Sequence, residues 1–444
     1  MERAAGAAGV NRSILRAALS VSLVGVAVKL AATLKEIAVA GVYGRSDAMD
    51  AFLAAALIPG LLINLISESM NQALVPTLVR VREQEGQKRA QQLLSSSMLW
   101  LCLLLALATG AMALGAHAFF PLVASHFPPA KLALSIRLFY VLLPVVLITG
   151  IAMNCTAVLN TMERFALPAL APVVIPLAIV SGVLMLGGRL GIWAMAYSTL
   201  AGSLLHALLV AAMMHARGYR LRLWWHGMNQ ATREVAMQYG PVLLSGVAAS
   251  GGLLVDQSMA AMLPAGSVSA LVYANRFVGV ALTLFAGAIS TAIVPYFSRL
   301  IARRDWAGCR HTLRTWARGT ALVSAPLGAI LIVGAHGLVR IAFQRGAFGP
   351  LDTAVVARVL AMYAIQIPFY ATSRVFYRFL VAMRRSELAL YCGVMNLGLD
   401  VVLNLVLMRW MGVAGIALAT SLWTIATFVL LGYWARRVLR NAEA

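Results

Sequence analysis

Long apolar runs, each parted from the next by a few polar residues, recur from one end of the chain to the other. Twelve reach 18 residues or more, near 14–34, 50–78, 93–116, 132–160, 166–187, 190–214, 235–263, 268–297, 312–334, 351–380, 388–408 and 412–435. A run of that length crosses a hydrocarbon core of about 30 Å as a helix. Helix is the form such runs take, because it satisfies each backbone N–H and C=O within the segment where water is absent. The runs are continuous rather than alternating, which excludes a transmembrane β-barrel. The predicted fold is an all-α membrane protein of about 12 transmembrane helices, six in each half.

The two halves repeat one another. Ala73-Leu74-Val75-Pro76 with Arg80 returns 219 residues later as Ala292-Ile293-Val294-Pro295 with Arg299. Leu159, Met162 and Arg164 return as Leu380, Met383 and Arg385, and Gly191-Ile192 as Gly415-Ile416. Two related halves in a membrane chain point to a transporter whose substrate path lies at the repeat interface. The predicted organisation is an N-terminal six-helix lobe over 1–216, a basic cytoplasmic linker over 217–234 and a C-terminal six-helix lobe over 235–444.

Charge changes this picture in one respect. Lys and Arg number 36 against 15 Asp and Glu, a formal balance of +21. With the amino terminus placed in the cytoplasm, the inner loops collect most of the arginines, including Arg12, Arg82, Arg220, Arg304, Arg310, Arg385 and Arg437. The outer loops keep few, such as Arg45, Lys131, Arg189, Arg345 and Arg409. This is the positive-inside asymmetry, and it puts both termini in the cytoplasm. The basic excess is thus a topology device rather than a nucleic-acid footprint, and it suits anionic lipid headgroups. The first run is too long for a signal-peptide core and is predicted to remain as a helix. Cys102, Cys155, Cys309 and Cys392 share no metal spacing and read as small core residues.

Ionisable residues inside apolar runs are the candidate site, since each is costly unless it faces a cavity or a partner. They are Lys29 and Lys35-Glu36 in the first run, Asp50, Asn64 and Glu68 in the second, and Arg137 in the fourth. Asp256 follows in the seventh, Arg276 in the eighth, Arg358, Arg374 and Arg378 in the tenth, and Asp400 in the eleventh. Cations outnumber acids, which suits an anionic ligand such as a pyrophosphate. Bland readings stand beside these: Lys35, Arg358 and Arg378 as snorkelling side chains, Asp50 as a cap of its own helix, Asp256 and Asp400 as partners of nearby arginines. Prolines such as Pro59, Pro76, Pro144 and Pro368 mark kinks that permit rocking.

Several of these residues sit in motifs that resemble the MurJ/MviN family. They are Lys35-Glu36-Ile37-Ala38-Val39-Ala40, Tyr43-Gly44, Asp50-Ala51-Phe52, Ile58-Pro59, Glu68 and Ala73-Leu74-Val75-Pro76 in the first half. Gly266-Ser267-Val268, Tyr273-Ala274-Asn275-Arg276, Phe343-Gln344-Arg345-Gly346-Ala347-Phe348 and Gly415-Ile416-Ala417-Leu418-Ala419-Thr420-Ser421 follow in the second. The resemblance implies a multidrug/oligosaccharidyl-lipid/polysaccharide exporter fold, two pseudo-symmetric six-helix lobes around a central cavity. It implies a flippase for lipid II, the undecaprenyl-pyrophosphate-linked peptidoglycan precursor, in the bacterial inner membrane, with membrane lipids and a cell-wall or polysaccharide synthase as partners. The expected substrate-binding set is Lys29, Lys35, Asp50, Asn64, Glu68, Arg276, Arg345 and Arg374, with Asp256 and Asp400 for ion coupling. No catalytic residue, metal, cofactor or nucleic-acid partner is expected.

The chain also departs from the family pattern. Ile63 stands where the second helix commonly has arginine, Gly279 where an acid follows the eighth-helix arginine, and the apolar runs supply no thirteenth or fourteenth helix. Those departures keep open a flippase for another polyprenyl-linked glycan, of capsule, exopolysaccharide or O-antigen. A cation-coupled drug exporter using Asp256 and Glu68 is a further alternative. An enzyme such as a glycan polymerase would be expected to carry a large outer loop, and no such loop is legible; no GxxxxGK[ST] motif points to ATP hydrolysis.

Overall fold

The computed structural model describes residues 25–443 apart from Val26, Ser125, 162–165, Arg384 and Ser386. Arg3, Arg12 and the opening of the first predicted run with Arg16 lie outside the described residues, as do Arg164 and Arg384. Among the described residues all regular structure is helical. The long helices are α1 (27–43), α2 (Asp47–Glu85), α3 (Gln87–Val123), α4 (Pro129–Asn160), α5 (Leu167–Leu190) and α6 (Ile192–His215). They continue as α7 (Gln230–Ala260), α8 (Ser267–Ala302), α9 (Trp306–Val333), the short α10 (Ala335–Phe343), α11 (Pro350–Ala382), α12 (Glu387–Met411) and α13 (Val413–Glu443). Nine helices among the described residues are long and apolar enough to cross a membrane. α1, α7 and α8 stand at the other three predicted runs. The helix α10 occupies what the sequence reads as outer loop.

The chain forms two compact units, Met1–Val42 with Ala51–Ser250 and Tyr43–Asp50 with Gly251–Ala444. The division falls inside α7, and the 217–234 segment belongs to the first unit. That segment is pinned to α3. Gln91 exchanges two hydrogen bonds with the Arg220 backbone, the Ser96 hydroxyl accepts from the His226 N–H at 3.1 Å, and Trp225 meets Trp100 edge-on at 5.8 Å.

In the first unit, α2 contains a π-helical stretch, Ile63–Glu68, four residues past Pro59. The wider turn keeps Ile63, Ile66 and Ser67 buried while Asn64 and Glu68 are exposed. A π turn of this kind inside an α-helix is frequently found at a functional position. Close helix approach depends on small residues: a Cβ on Gly202 of α6 would stand 2.9 Å from the Ala178 methyl of α5.

In the second unit, a core cluster joins α8, α9, α11, α12 and α13. Phe297 and Phe379 meet edge-on at 5.2 Å among Leu313, Val375, Leu388, Leu431 and Leu439, with Cys309 and Cys392 buried in the same cluster. A second aromatic group packs Tyr273 and Phe277 of α8 against Phe343 and Phe348. Those two phenylalanines close the loop that follows α10, and Gly346 between them turns with φ of +58°, a backbone conformation glycine adopts without a Cβ penalty.

Candidate functional site

A buried polar group in the second unit lies where three helices meet. Asn404 donates through one amide nitrogen to both carboxylates, to Asp256 Oδ1 at 2.8 Å and to Asp400 Oδ1 at 3.2 Å. The Thr420 hydroxyl donates to Asp256 Oδ2 at 3.2 Å. Asp400 and Asn404 are one helical turn apart on α12, Asp256 comes from α7 and Thr420 from α13. Asp400 and Asn404 are essentially fully buried. Among the described residues, Asp400 Oδ2, Asn404 Oδ1 and the neighbouring Gln257 Oε1 are buried acceptors with no donor at hydrogen-bonding geometry.

Two carboxylates sharing one amide repel each other in a medium that screens little. Among the described residues no lysine or arginine forms an ion pair with either, so the arginine partners the sequence allowed for them are absent from these pairs. Carboxylate, amide and hydroxyl oxygens converging in a membrane-depth site are the donor set of a hard cation. The unsatisfied acceptors fit such an ion or a shared proton. Sequence reading found Asp256 and Asp400 but not Asn404 or Thr420. The four-residue step from Asp400 to Asn404 was a signal for the first; the second stood inside the Gly415-to-Ser421 motif, with nothing there to single it out as a partner of Asp256.

Asp50 has a different employment. Its Oδ2 accepts from the Gly266 N–H at 2.7 Å and its Oδ1 from the Ser269 N–H at 2.9 Å, so it caps the first turn of α8 from outside that helix. An anion at a helix N-terminus satisfies orphan donors and opposes the helix dipole. Around it, Arg45 Nε donates to the Gly266 carbonyl at 2.9 Å and its guanidinium pairs with Asp352 at 3.3 Å. The Tyr273 hydroxyl donates to the Gly44 carbonyl at 3.0 Å. Gly44 itself turns with φ of +57°, and a Cβ there would stand 2.6 Å from the Ala347 carbonyl oxygen. The turn 44–46 is therefore fastened to the start of α8 and to the loop after α10, all within the second unit.

The predicted cations are dispersed. In the first unit Lys29 is exposed on α1, and Lys35 pairs with the buried Glu36 at 2.8 Å. Asn64 and Glu68 are exposed on the π-helical stretch, Glu68 accepting from Gln72 at 3.4 Å. In the second unit Arg276 is half-buried on α8. Arg374 donates to the Tyr370 hydroxyl and lies over its ring at 4.6 Å. Arg345 is exposed and donates to the Ile341 carbonyl at 2.6 Å, anchoring the loop after α10. The structure thus brings Asp256 and Asp400 together, gives Asp50 and Arg345 local bonds that shape the backbone, and leaves the lysines apart.

Comparison with known proteins follows the same lines. The family model described as lipid II flippase MurJ matches residues 39–443. A probable lipid II flippase MurJ of Buchnera aphidicola is 24% identical over 424 residues, covering 94% of this chain and 83% of that protein. The lipid II flippase MurJ of Burkholderia cenocepacia is 27% identical over 365 residues, covering 80% and 70%. Among solved structures, lipid II flippase MurJ in an inward closed conformation superposes with a TM-score of 0.80 at 20% identity, covering 95% of this chain and 89% of that one. An inward-facing multidrug resistance MATE family transporter gives 0.76 at 13% identity, covering 94% and 95%. At these identities the structural likenesses speak to the fold alone.

Proposed function

The chain belongs to the lipid II flippase MurJ family, and from that membership we propose that it moves lipid II across the membrane by alternating access. The observation that carries this reading is the match of one family model along nearly the whole described chain. The protein is a multi-pass membrane transporter in this reading, and its ionisable residues perform binding rather than covalent chemistry. Lys29 and Lys35 in the first unit, and Arg276 and Arg374 in the second, supply positive charge for the pyrophosphate. Charge-assisted hydrogen bonds to phosphate oxygens are about twice as strong as neutral ones. Lysine provides a point charge, whereas arginine provides the bidentate fork, so the arginines of the second unit would set headgroup orientation.

Asp256 and Asp400, with Asn404 and Thr420, form the proposed coupling site. A monovalent cation or proton there would neutralise the carboxylate pair, and its loss would restore their repulsion. That difference is what links an ion gradient to a conformational equilibrium. Placement in the bacterial inner membrane with both termini in the cytoplasm rests on the loop charges. Partnership with a cell-wall synthase belongs to this reading too.

The experiment is complementation of bacteria depleted of their own lipid II flippase, scored by viability and by lipid II exposed on the outer leaflet. Restored exposure supports the reading. A well-expressed, inserted protein that restores neither transfers the assignment to another polyprenyl-linked glycan, the alternative raised by Ile63 and Gly279.

A further inference from the structure

In the second unit α12 and α13 pack side by side across the turn at Gly412, whose φ is +58°. Their polar residues face one another in rungs. One rung is closed by a hydrogen bond, the Thr427 hydroxyl donating to Asn396 Oδ1 at 2.8 Å. Another converges on Asp256, which accepts from Asn404 and from Thr420. Between them, one helical turn from Thr427 toward Gly412, stands Trp423, and one turn from Asn396 toward Gly412 stands Asp400. The middle rung therefore sets an indole opposite a carboxylate. The Trp423 indole lies within electrostatic reach of Asp400. Among the described residues its Nε1 is a buried donor with no acceptor at hydrogen-bonding geometry, as Asp400 Oδ2 is a buried acceptor with no donor. That oxygen is turned toward α7, where a Cβ on Gly252 would stand 3.7 Å from it. A membrane tryptophan ordinarily keeps its N–H at the wet interfacial belt. Trp423 instead lies ten residues into α13, a rise of about 15 Å, half of a hydrocarbon core of about 30 Å. At that depth its N–H depends on a protein acceptor.

We propose that Trp423 is a positioning residue for the carboxylate pair: its N–H holds Asp400 Oδ2 while no cation is bound there, and yields that oxygen when one binds. This role presupposes that the pair binds a cation. Asp256 and Asp400 stand together at a cost that falls when positive charge reaches them. An indole N–H brings the positive end of a dipole and no acceptor of its own, so it can serve a carboxylate oxygen but cannot ligate an ion. It therefore stabilises the bare pair more than the pair neutralised by a cation. Asn404 does not play this part, because its Nδ2 serves both acids at once and its Oδ1 is left as an acceptor suited to an ion. A site that couples an ion to movement has to release the ion as well as hold it. A donor facing Asp400 lowers the affinity enough for release.

The test is the unfolding temperature of the full-length protein in detergent, titrated with sodium chloride while choline chloride holds the ionic strength constant. Trp423→Phe keeps an aromatic ring and removes the N–H. It should unfold at a lower temperature than the parent in choline and match the parent at high sodium. Its apparent sodium dissociation constant should be about tenfold lower, the worth of one hydrogen bond to a charged group. Trp423→Leu removes the same donor with a smaller side chain and should shift the constant the same way. Trp434→Phe removes another buried, unpaired indole N–H from α13, away from the acids, and should leave the constant unchanged. A deficit in Trp423→Phe that is equal with and without sodium overturns the proposal, since a purely structural indole gives that result. An unchanged or raised dissociation constant in both Trp423 variants overturns it too, and leaves the cation reading of the pair in place. A parent that does not respond to sodium removes that reading and the role of Trp423 with it.

Discussion

Asp256 and Asp400 show how much a single amide can organise. Asn404 bonds both carboxylates at once, and the two acids are tolerable together only while something positive offsets them. Monovalent cations should therefore raise the unfolding temperature of the parent protein, and Asp256→Asn/Asp400→Asn should abolish that rise. Equal cation response in parent and variant would remove the cluster from the coupling role. Asp305→Asn is a suitable control, since that acid accepts from the Gly308 N–H at the exposed start of α9 and lies outside the cluster. The cations carry a separate expectation. Lys29→Ala and Arg276→Ala should each abolish lipid II exposure with protein abundance intact; normal exposure in both would leave the headgroup to other residues. By contrast, the Arg80–Glu234 ion pair is 37% exposed on each side, and its removal should cost less than about 1 kcal/mol.

Helices were legible because length and continuous hydropathy leave a membrane chain little choice, and the predicted runs from residue 50 onward each carry a helix. The short α10 was not legible, because nine residues between two spans carry no run long enough to separate from loop. Its neighbouring motif, Phe343 to Phe348, was legible as a pattern but not as a device. In the structure its two aromatic ends pack on Tyr273, and Arg345 between them bonds back to Ile341. The carboxylate cluster was half legible. Acids inside apolar runs announce themselves by their cost, whereas Thr420 looks like any threonine that satisfies itself on its own helix, as it also does through the Ile416 carbonyl at 3.2 Å. Asp50 reads in the sequence as a cap of its own helix; in the structure it accepts from the Gly266 N–H, 216 residues later, and caps α8 instead, which no local spacing reveals. Asp50→Ala should destabilise the start of α8 by about 1–2 kcal/mol, read as faster amide hydrogen exchange at residues 267–270. Exchange unchanged there would mean the cap is dispensable.

At the scale of the whole molecule, two units of related sequence each keep a distinct chemical character. The first carries the π-helical stretch and two lysines on α1. The second carries the carboxylate pair and the capped start of α8. The chain belongs to the lipid II flippase MurJ family over residues 39–443. The decisive measurement is lipid II on the outer leaflet of flippase-depleted bacteria expressing this chain, read alongside the Arg276→Ala variant. Exposure restored by the parent and lost in the variant is the expected result. Exposure absent with a correctly inserted, abundant parent protein would contradict lipid II as the cargo.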